Sequence, residues 1–403
     1  MSAAPRRPPL TVVIAATGLG PLALNLLLPS IPGLQHAFGR DYGTVQLALS
    51  LYLLGFAVAQ LLYGPASDRF GRRPALLVGL VLFLVGSVLS AVAPSIEVLI
   101  GARVLQAVGG CAGVVMGRAI VRDYYGPERS ASVLAYVTMA TVVAPMLGPT
   151  IGGFLDVWLG WRAGFWFVFA CGALILMAAA FSVSETHRPV PAAAASGTYV
   201  GSLGHLLRMP AFCGYAFHVG FTSSVFFAFL GGSPFVMVEL LGRPASEFGL
   251  YFIAVSVFYM AGNLAAGRFS VRMGPDRMMA MGSVAAILGA GSLALASAAG
   301  HVTAETMFGA MAVVALGNGM SIPNGISAGV SLDARRIGAA SGLIGFLQMA
   351  MGAATSFLVG ALIVDSATPM VVVMVAGSIL AAAAFLVARG SRCRAVAEAA
   401  PRG

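Results

Sequence analysis

The chain has 403 residues, of which 59% are hydrophobic and 9% charged, against about 25% charged in soluble domains. With a mean hydropathy of +0.92, it carries more apolar surface than a water-soluble fold can hide. Its formal net charge of +9 comes from 23 basic residues, all arginine and none gathered into a patch, which excludes a nucleic-acid partner.

A bilayer core requires runs of roughly 20 apolar residues. About twelve such runs follow one another at 11–33, 44–64, 74–93, 97–121, 131–155, 163–183, 211–233, 247–267, 278–299, 306–329, 337–363 and 368–388. The first has a basic start but is too long for a signal peptide and lacks a small-x-small cleavage site, so it reads as an uncleaved helix. Between the sixth and seventh runs, Pro189, Pro191, a run of alanines and Gly197 read as a linker. The expected fold is therefore all-α and polytopic, with twelve transmembrane helices in two pseudo-symmetric six-helix bundles around a central cavity. The bundles comprise residues 1–184 and 211–390, joined by a cytoplasmic linker at 185–210 and followed by a cytoplasmic tail at 391–403.

Arginines set the orientation. Arg6, Arg7, Arg69, Arg72, Arg73, Arg118, Arg122, Arg208, Arg268, Arg272, Arg336 and Arg389 all fall on one side, while only Arg40, Arg162 and Arg243 fall in loops on the other. The positive-inside rule then places both termini in the cytoplasm of a multi-pass inner-membrane protein. Cys111, Cys171, Cys213 and Cys393 form no CxxC pair, so neither a disulfide framework nor a metal site is indicated. No nucleophile–base grouping, phosphate loop or metal-ligand spacing occurs, so an enzyme is not expected and no cofactor is implied.

Between the second and third runs lies Gly64-Pro65-Ala66-Ser67-Asp68-Arg69-Phe70-Gly71-Arg72-Arg73-Pro74. A worn copy, Gly267-Arg268-Phe269-Ser270-Val271-Arg272-Met273-Gly274, follows half a chain length later. A basic loop repeated at half length in so apolar a chain points to a duplicated membrane unit. In the fourth run, Arg103, Gln106, Gly110, Gly113 and Gly117 share one helix face. An arginine there costs roughly 2.5–3.5 kcal/mol on insertion scales, so it faces a cavity or partner, unless it snorkels to the nearby outer interface. The fifth run holds Ala144-Pro145-Met146-Leu147-Gly148-Pro149-Thr150-Ile151-Gly152-Gly153, whose prolines and glycines bend a helix that close neighbours must support.

The loop at Gly64, Asp68, Arg69, Gly71, Arg72 and Arg73 resembles the signature of the major facilitator superfamily. The resemblance implies a cytoplasmic gate with Asp68 as its working acid, a role Val271 cannot copy. Leu99 to Gly110 resembles the proton-handling fourth-helix motif of that family, and Pro145, Gly148, Pro149, Gly152 and Gly153 resemble its antiporter motif, with Ala144 in place of the first glycine. Together with Arg118 to Asp123, Gly160-Trp161-Arg162, Glu185-Thr186 and Ser233 to Val236, nearly the whole chain is similar to the Bcr/CflA branch of multidrug efflux transporters.

The departure lies in the first run. That branch carries Asp four residues before a proline, and here Asn25 precedes Pro29; no Asp or Glu stands well inside any run. The proton-coupling candidates are then Arg103, His218 and Asp123. His218 is the one deep side chain whose intrinsic pKa lies near neutrality, with hydrogen-bonded packing as its alternative role. Cavity candidates are Asn25, Gln46, Ser50, Gln106, Phe226, Phe227, Ser256, Tyr259, Asn263, Asn318, Asn324 and Gln348, many of which can equally serve only to bond neighbouring helices.

An arginine with no counter-carboxylate disfavours cations. The expected partners are protons, the lipid bilayer and small amphipathic molecules, neutral or zwitterionic, handled by a monomer. The resemblance implies proton-coupled export of drugs or antibiotics by alternating access. The rival is a metabolite exporter or facilitator with weak or no coupling.

Overall fold

A computed structural model describes the backbone of residues 9–186, 199–333 and 336–399. Side chains are described throughout these except at 126–132, 134–136, 138–140, 142, 145–146, 199–200 and 393–399. The described residues are helical with no strand. The elements are α1 (Leu10–Leu26), a 3-10 turn at Leu28–Ser30, α2 (Ile31–Phe38), α3 (Tyr42–Phe70), α4 (Arg72–Ala91), α5 (Ile96–Leu159) and α6 (Arg162–Ser182). They continue with α7 (Tyr199–Leu207), α8 (Pro210–Phe235), a π turn at Val236–Leu240, α9 (Ala245–Met273), α10 (Pro275–Ala298), α11 (Ala304–Val330), α12 (Ile337–Leu362) and α13 (Thr368–Ala399).

The helices group into two compact units. One holds the described residues up to Thr186 together with Met237–Ile253; the other holds Tyr199 to Val236 and the residues from Ala254 onward. This differs from a clean division at the linker. The start of α9 belongs with the first unit, where His36 Nε2 lies 3.1 Å from Glu239 Oε1 and the Thr150 hydroxyl donates to Gly249 O at 3.0 Å. Within the expected linker, residues 199–207 form α7, and residues 391–399 of the expected tail extend α13.

Eleven stretches among the described residues are long and apolar enough to cross a bilayer. The twelfth is hidden in α5, which is assigned as 64 helical residues. A straight helix of that length would run about 96 Å, three times the bilayer core of about 30 Å. It is not straight. A Cβ built on Gly117 would lie 3.5 Å from Val137 Cγ1, although twenty residues of straight helix are about 30 Å long. The chain reverses between these positions, so α5 consists of two antiparallel arms. Where the spacing predicts a loop at 122–130, the chain stays helical through the reversal.

Both arms grip α1. On the first arm, a Cβ on Gly110 would meet the Gly20 Cα at 2.9 Å, and one on Gly113 or Gly117 would overlap the Ala16 carbonyl or the Thr17 hydroxyl. On the second, a Cβ on Gly148 would meet Asn25 Cβ at 2.8 Å, and one on Gly152 would overlap Leu26 O. Lipid tails are as apolar as leucine, so helices associate in a bilayer through such close backbone approach. Thr17 adds bonds to Val13 O at 2.8 Å and Gly113 O at 3.1 Å. In the second unit α8 plays the corresponding part, with twenty of its 26 residues buried. Large apolar side chains turned outward, among them Leu62, Leu174, Phe181, Leu264 and Leu295, form the lipid-facing surface.

The repeated basic loop is visible as a repeated turn. Gly71 ends α3 with φ 99° and Gly274 ends α9 with φ 83°, a region that favours glycine. A side chain at Gly71 would also overlap the Glu185 carboxylate. At the other end of α3, the Asp41 carboxylate accepts from Thr44 N at 2.8 Å and from the Thr44 hydroxyl at 2.7 Å. These bonds hold its carboxyl below the ordinary value.

The grip on α1 predicts an asymmetry between glycines of one helix. Gly113→Val is expected to destabilise the fold by about 1–3 kcal/mol, the usual range for overpacking. Gly101→Val, at a position with nothing within 4 Å, is expected to be neutral. Thermal melts of the two purified variants in one detergent check this.

Candidate functional site

The gate loop folds into an ionic cluster at one end of the first unit. Arg72 lies at its centre: Nη1 is 2.6 Å from Asp68 Oδ1, Nε is 3.0 Å from Asp123 Oδ2, and Nη1 also donates to the Ser67 hydroxyl. Asp68 pairs with the guanidinium and not with a helix N-terminus, and 61% of its side chain stays exposed. The helix N-terminus goes to Glu185 instead. Its carboxylate accepts from Arg72 N at 2.9 Å and Arg73 N at 3.2 Å, where the dipole and the unpaired amides of α4 favour an anion. Arg73 donates to Ala180 O at 2.8 Å, tying α4 to the end of α6. Arg69 stacks on Phe70 at 5.3 Å and takes no part in the cluster. Gly64 lies in open space within α3. Val271 of the second copy is 92% exposed, in keeping with a turn that kept its backbone and lost its acid.

Arg103, on the first arm of α5, is fully buried. Its Nη1 donates to Gln106 Oε1 at 2.6 Å and to Ala23 O at 3.1 Å, and its Nε points to Ala48 O at 3.5 Å. Its guanidinium lies 4.1 Å from the Tyr52 ring centre and 5.9 Å from that of Phe165. Tyr52 is fixed by its own bond to Gly20 O at 2.9 Å. Gln106 passes the chain on to the Ser87 hydroxyl at 2.8 Å, which donates to Phe83 O at 2.7 Å. Arg103 therefore faces a packed polar site and does not snorkel. Among the described residues no carboxylate touches it, and Nη2 is buried without a hydrogen-bond partner. Tyr52 and Ser87, which complete this site, carry no sequence signal beyond their helical spacing. Gln46 and Ser50 are buried on the neighbouring helix α3, Ser50 bonded to Gln46 O at 3.2 Å.

The antiporter motif lies directly on the position where the acid is missing. Asn25 is buried; its Nδ2 donates to Pro21 O at 2.8 Å, while its Oδ1 has no partner. Gly148 packs on its Cβ, Gly152 on the next carbonyl, and a Cβ on Gly153 would meet Ala245 O at 2.9 Å. Pro149 is buried beside them, and the side chain of Pro145 lies outside the described residues.

In the second unit the remaining candidates are dispersed. His218 on α8 is fully buried, with Nδ1 2.9 Å from Ala381 O and its ring 5.7 Å from Phe385. A carbonyl only accepts, so Nδ1 carries a hydrogen, while Nε2 is buried without a partner. Asn263 and Asn324 bond the carbonyls one turn back, of Tyr259 at 2.9 Å and Met320 at 2.8 Å. Asn318 and Ser256 are buried, Gln348 is half-buried, and Phe226 and Phe227 meet edge to face at 5.7 Å.

Residues 13–356 match the family model described as Major Facilitator Superfamily. The chain is similar to the uncharacterized MFS-type transporter YdgK of Bacillus subtilis (strain 168), with 30% identity over 372 residues, 91% of this chain and 92% of the relative. It is also similar to a chloramphenicol resistance protein of Pseudomonas aeruginosa, with 34% identity over 278 residues, 69% of this chain and 65% of the relative. A bicyclomycin resistance protein homolog of Haemophilus influenzae is 25% identical over 379 residues, 93% and 95% of the two chains. Among solved structures, a D-xylose–proton symporter superposes with a TM-score of 0.73 at 18% identity, over 94% of this chain and 96% of that one, a likeness of fold alone.

The geometry separates stability from activity at Arg103. Two of its acceptors are backbone carbonyls within helices, so replacing it by an apolar side chain of similar length leaves little unsatisfied, and such swaps are often neutral or stabilising. Arg103→Met is expected to keep the melting temperature within a few degrees of wild type while transport falls to background. A variant that unfolds would instead make Arg103 a structural residue.

Proposed function

The chain belongs to the major facilitator superfamily, among the Bcr/CflA-like drug exporters and not the enzymes, and from that premise we propose that it exports small amphipathic drugs across the inner membrane by proton-coupled alternating access. Both termini are cytoplasmic in this reading, and the Asp68–Arg72–Asp123 cluster, capped by Glu185, is the cytoplasmic lock. Closing that side assembles these pairs and opening it breaks them. Each pair is partly exposed and individually weak, which suits a lock that must open in every cycle.

The observation that carries the substrate class is the buried Arg103, held by carbonyls, an amide and aromatic rings without a carboxylate. A second positive charge about 6 Å away would cost about 2.8 kcal/mol at an effective dielectric of 20, roughly a hundredfold in affinity. Uncharged and zwitterionic molecules escape that penalty. The antiporter motif supports export: Gly148 and Gly152 let the second arm of α5 lie on α1 at Asn25 and Leu26, a contact between small surfaces suited to rocking.

A second reading, a metabolite exporter or facilitator with weak or no coupling, is favoured by one observation. Asn25 stands where the branch carries its acid, and no Asp or Glu is among the buried polar side chains described.

Efflux from everted vesicles separates the substrate classes. Chloramphenicol, which is uncharged, and a zwitterionic fluoroquinolone are expected to be exported at least tenfold better than ethidium, a permanent cation. Export of ethidium without response to uncharged drugs would overturn the substrate class. For the second reading, the comparison is drug-driven proton release in wild type and Asn25→Asp. Release in wild type supports coupled export, whereas release that appears only in the variant establishes the uncoupled transporter.

A further inference from the structure

With Asn25 in place of the usual acid, a coupled exporter needs another proton carrier in the first unit. We propose that Asp156, near the end of the second arm of α5, is the exchangeable proton site, with Ser30 as its hydrogen-bond partner. This rests on the proton-coupled reading above. Asp156 follows Gly148 and Gly152 at successive helical turns, so it continues the stripe that packs on α1. That stripe meets Asn25, then Leu26, and at Asp156 it reaches the buried Ser30, whose hydroxyl donates to the carboxylate. The carboxylate stays on the axis of the missing acid, displaced by two turns along it.

Asp156 is half-buried, with its Oδ2 4.0 Å from where a Cβ would stand on Gly33. It lies one residue beyond the apolar run 131–155. Partial burial raises its carboxyl above the ordinary carboxylate value, and the Ser30 bond opposes this only in part. The charged groups on the surrounding elements are engaged elsewhere. Arg162 lies 4.1 Å from the Trp161 ring and points to Ala93 O, His36 pairs with Glu239, and Glu247 pairs with Arg243 at 3.3 Å.

Ser30 and two neighbours of Arg103 share the walls of one cavity. A cavity of about 10 Å³ is lined by Ala23, Leu27, Ser30, Trp161 and Phe165 among others, enough for about one water molecule. Ala23 offers its carbonyl to Arg103 Nη1, and Phe165 lies 5.9 Å from the same guanidinium. In the cycle one proton from the outer side binds the Asp156 carboxylate, and the same proton leaves to the inner side as drug moves outward. Nothing else is consumed.

The test uses the purified full chain in proteoliposomes. In infrared difference spectra between acid and alkaline buffer, wild type is expected to show a carboxyl band that Asp156→Asn lacks and Asp156→Glu restores. Ser30→Ala, which removes a bond favouring the charged form, is expected to move that band's midpoint to higher pH, a shift that a merely structural role would not produce. Chloramphenicol-driven proton release is expected to fall at least tenfold in Asp156→Asn and to return in Asp156→Glu. Persistence of the titrating band in Asp156→Asn, or wild-type proton release by that variant, overturns the assignment. Absence of proton release from wild type with every drug tried, while the Asp156 band is present, overturns the proton-coupled reading and leaves Asp156 a titrating group without a transport role.

Discussion

The first unit depends on the backbone contact of α1 with both arms of α5. A bilayer offers no hydrophobic drive between helices, so association must come from packing at close range. Gly110, Gly113 and Gly117 supply it on one arm, Gly148 and Gly152 on the other. Because the arms are antiparallel and share α1, Gly148 of the second arm lies against Asn25 while Arg103 of the first arm reaches Ala23 O on the same helix. The small residues that read as packing elements thus decide where the polar chemistry of the unit is gathered.

A second constraint is the cost of burying charge. Arg103 is held by a neutral cage of carbonyls, the Gln106 amide and the Tyr52 and Phe165 rings. Charge-assisted hydrogen bonds of about 1.5–3 kcal/mol each and a cation–π contact of up to about 2 kcal/mol offset an insertion cost of roughly 2.5–3.5 kcal/mol. A neutral cage leaves the positive charge able to act on whatever enters nearby, which connects the packing of α1 to the proposed choice of uncharged cargo. At the other end of the unit, Arg72 is treated in the opposite way. It sits among Asp68 and Asp123 in partly exposed pairs, suited to making and breaking.

Much of this was legible in the sequence because membranes impose strong local rules. Apolar runs, arginine bias and the loop repeated at Gly71 and Gly274 marked the spans and the duplicated turn, and the stripe from Arg103 to Gly117 lies on one face of α5 as its spacing required. What escaped depends on approach between distant segments. Glu185 caps α4 from 113 positions away, and nothing in its surroundings announces that. The reversal inside α5 falls in the gap between the apolar runs 97–121 and 131–155, where spacing alone predicts a loop, yet the chain stays helical there. Tyr52 and Ser87 became part of the Arg103 site only through tertiary packing. Asp156 stands one residue outside the run 131–155, at helical spacing from Gly148 and Gly152, and its bond to Ser30 depends on tertiary packing.

The central claim is that a proton gradient drives an uncharged molecule outward, and energetics gives it a direct test. Exchange of one proton for an uncharged drug moves one net charge, worth about 2.3 kcal/mol per 100 mV. In proteoliposomes with an imposed membrane potential and no pH difference, chloramphenicol is predicted to move against its own gradient, with the direction reversing when the potential is reversed. Movement that only equalises concentration under both a potential and a pH gradient would contradict coupled export.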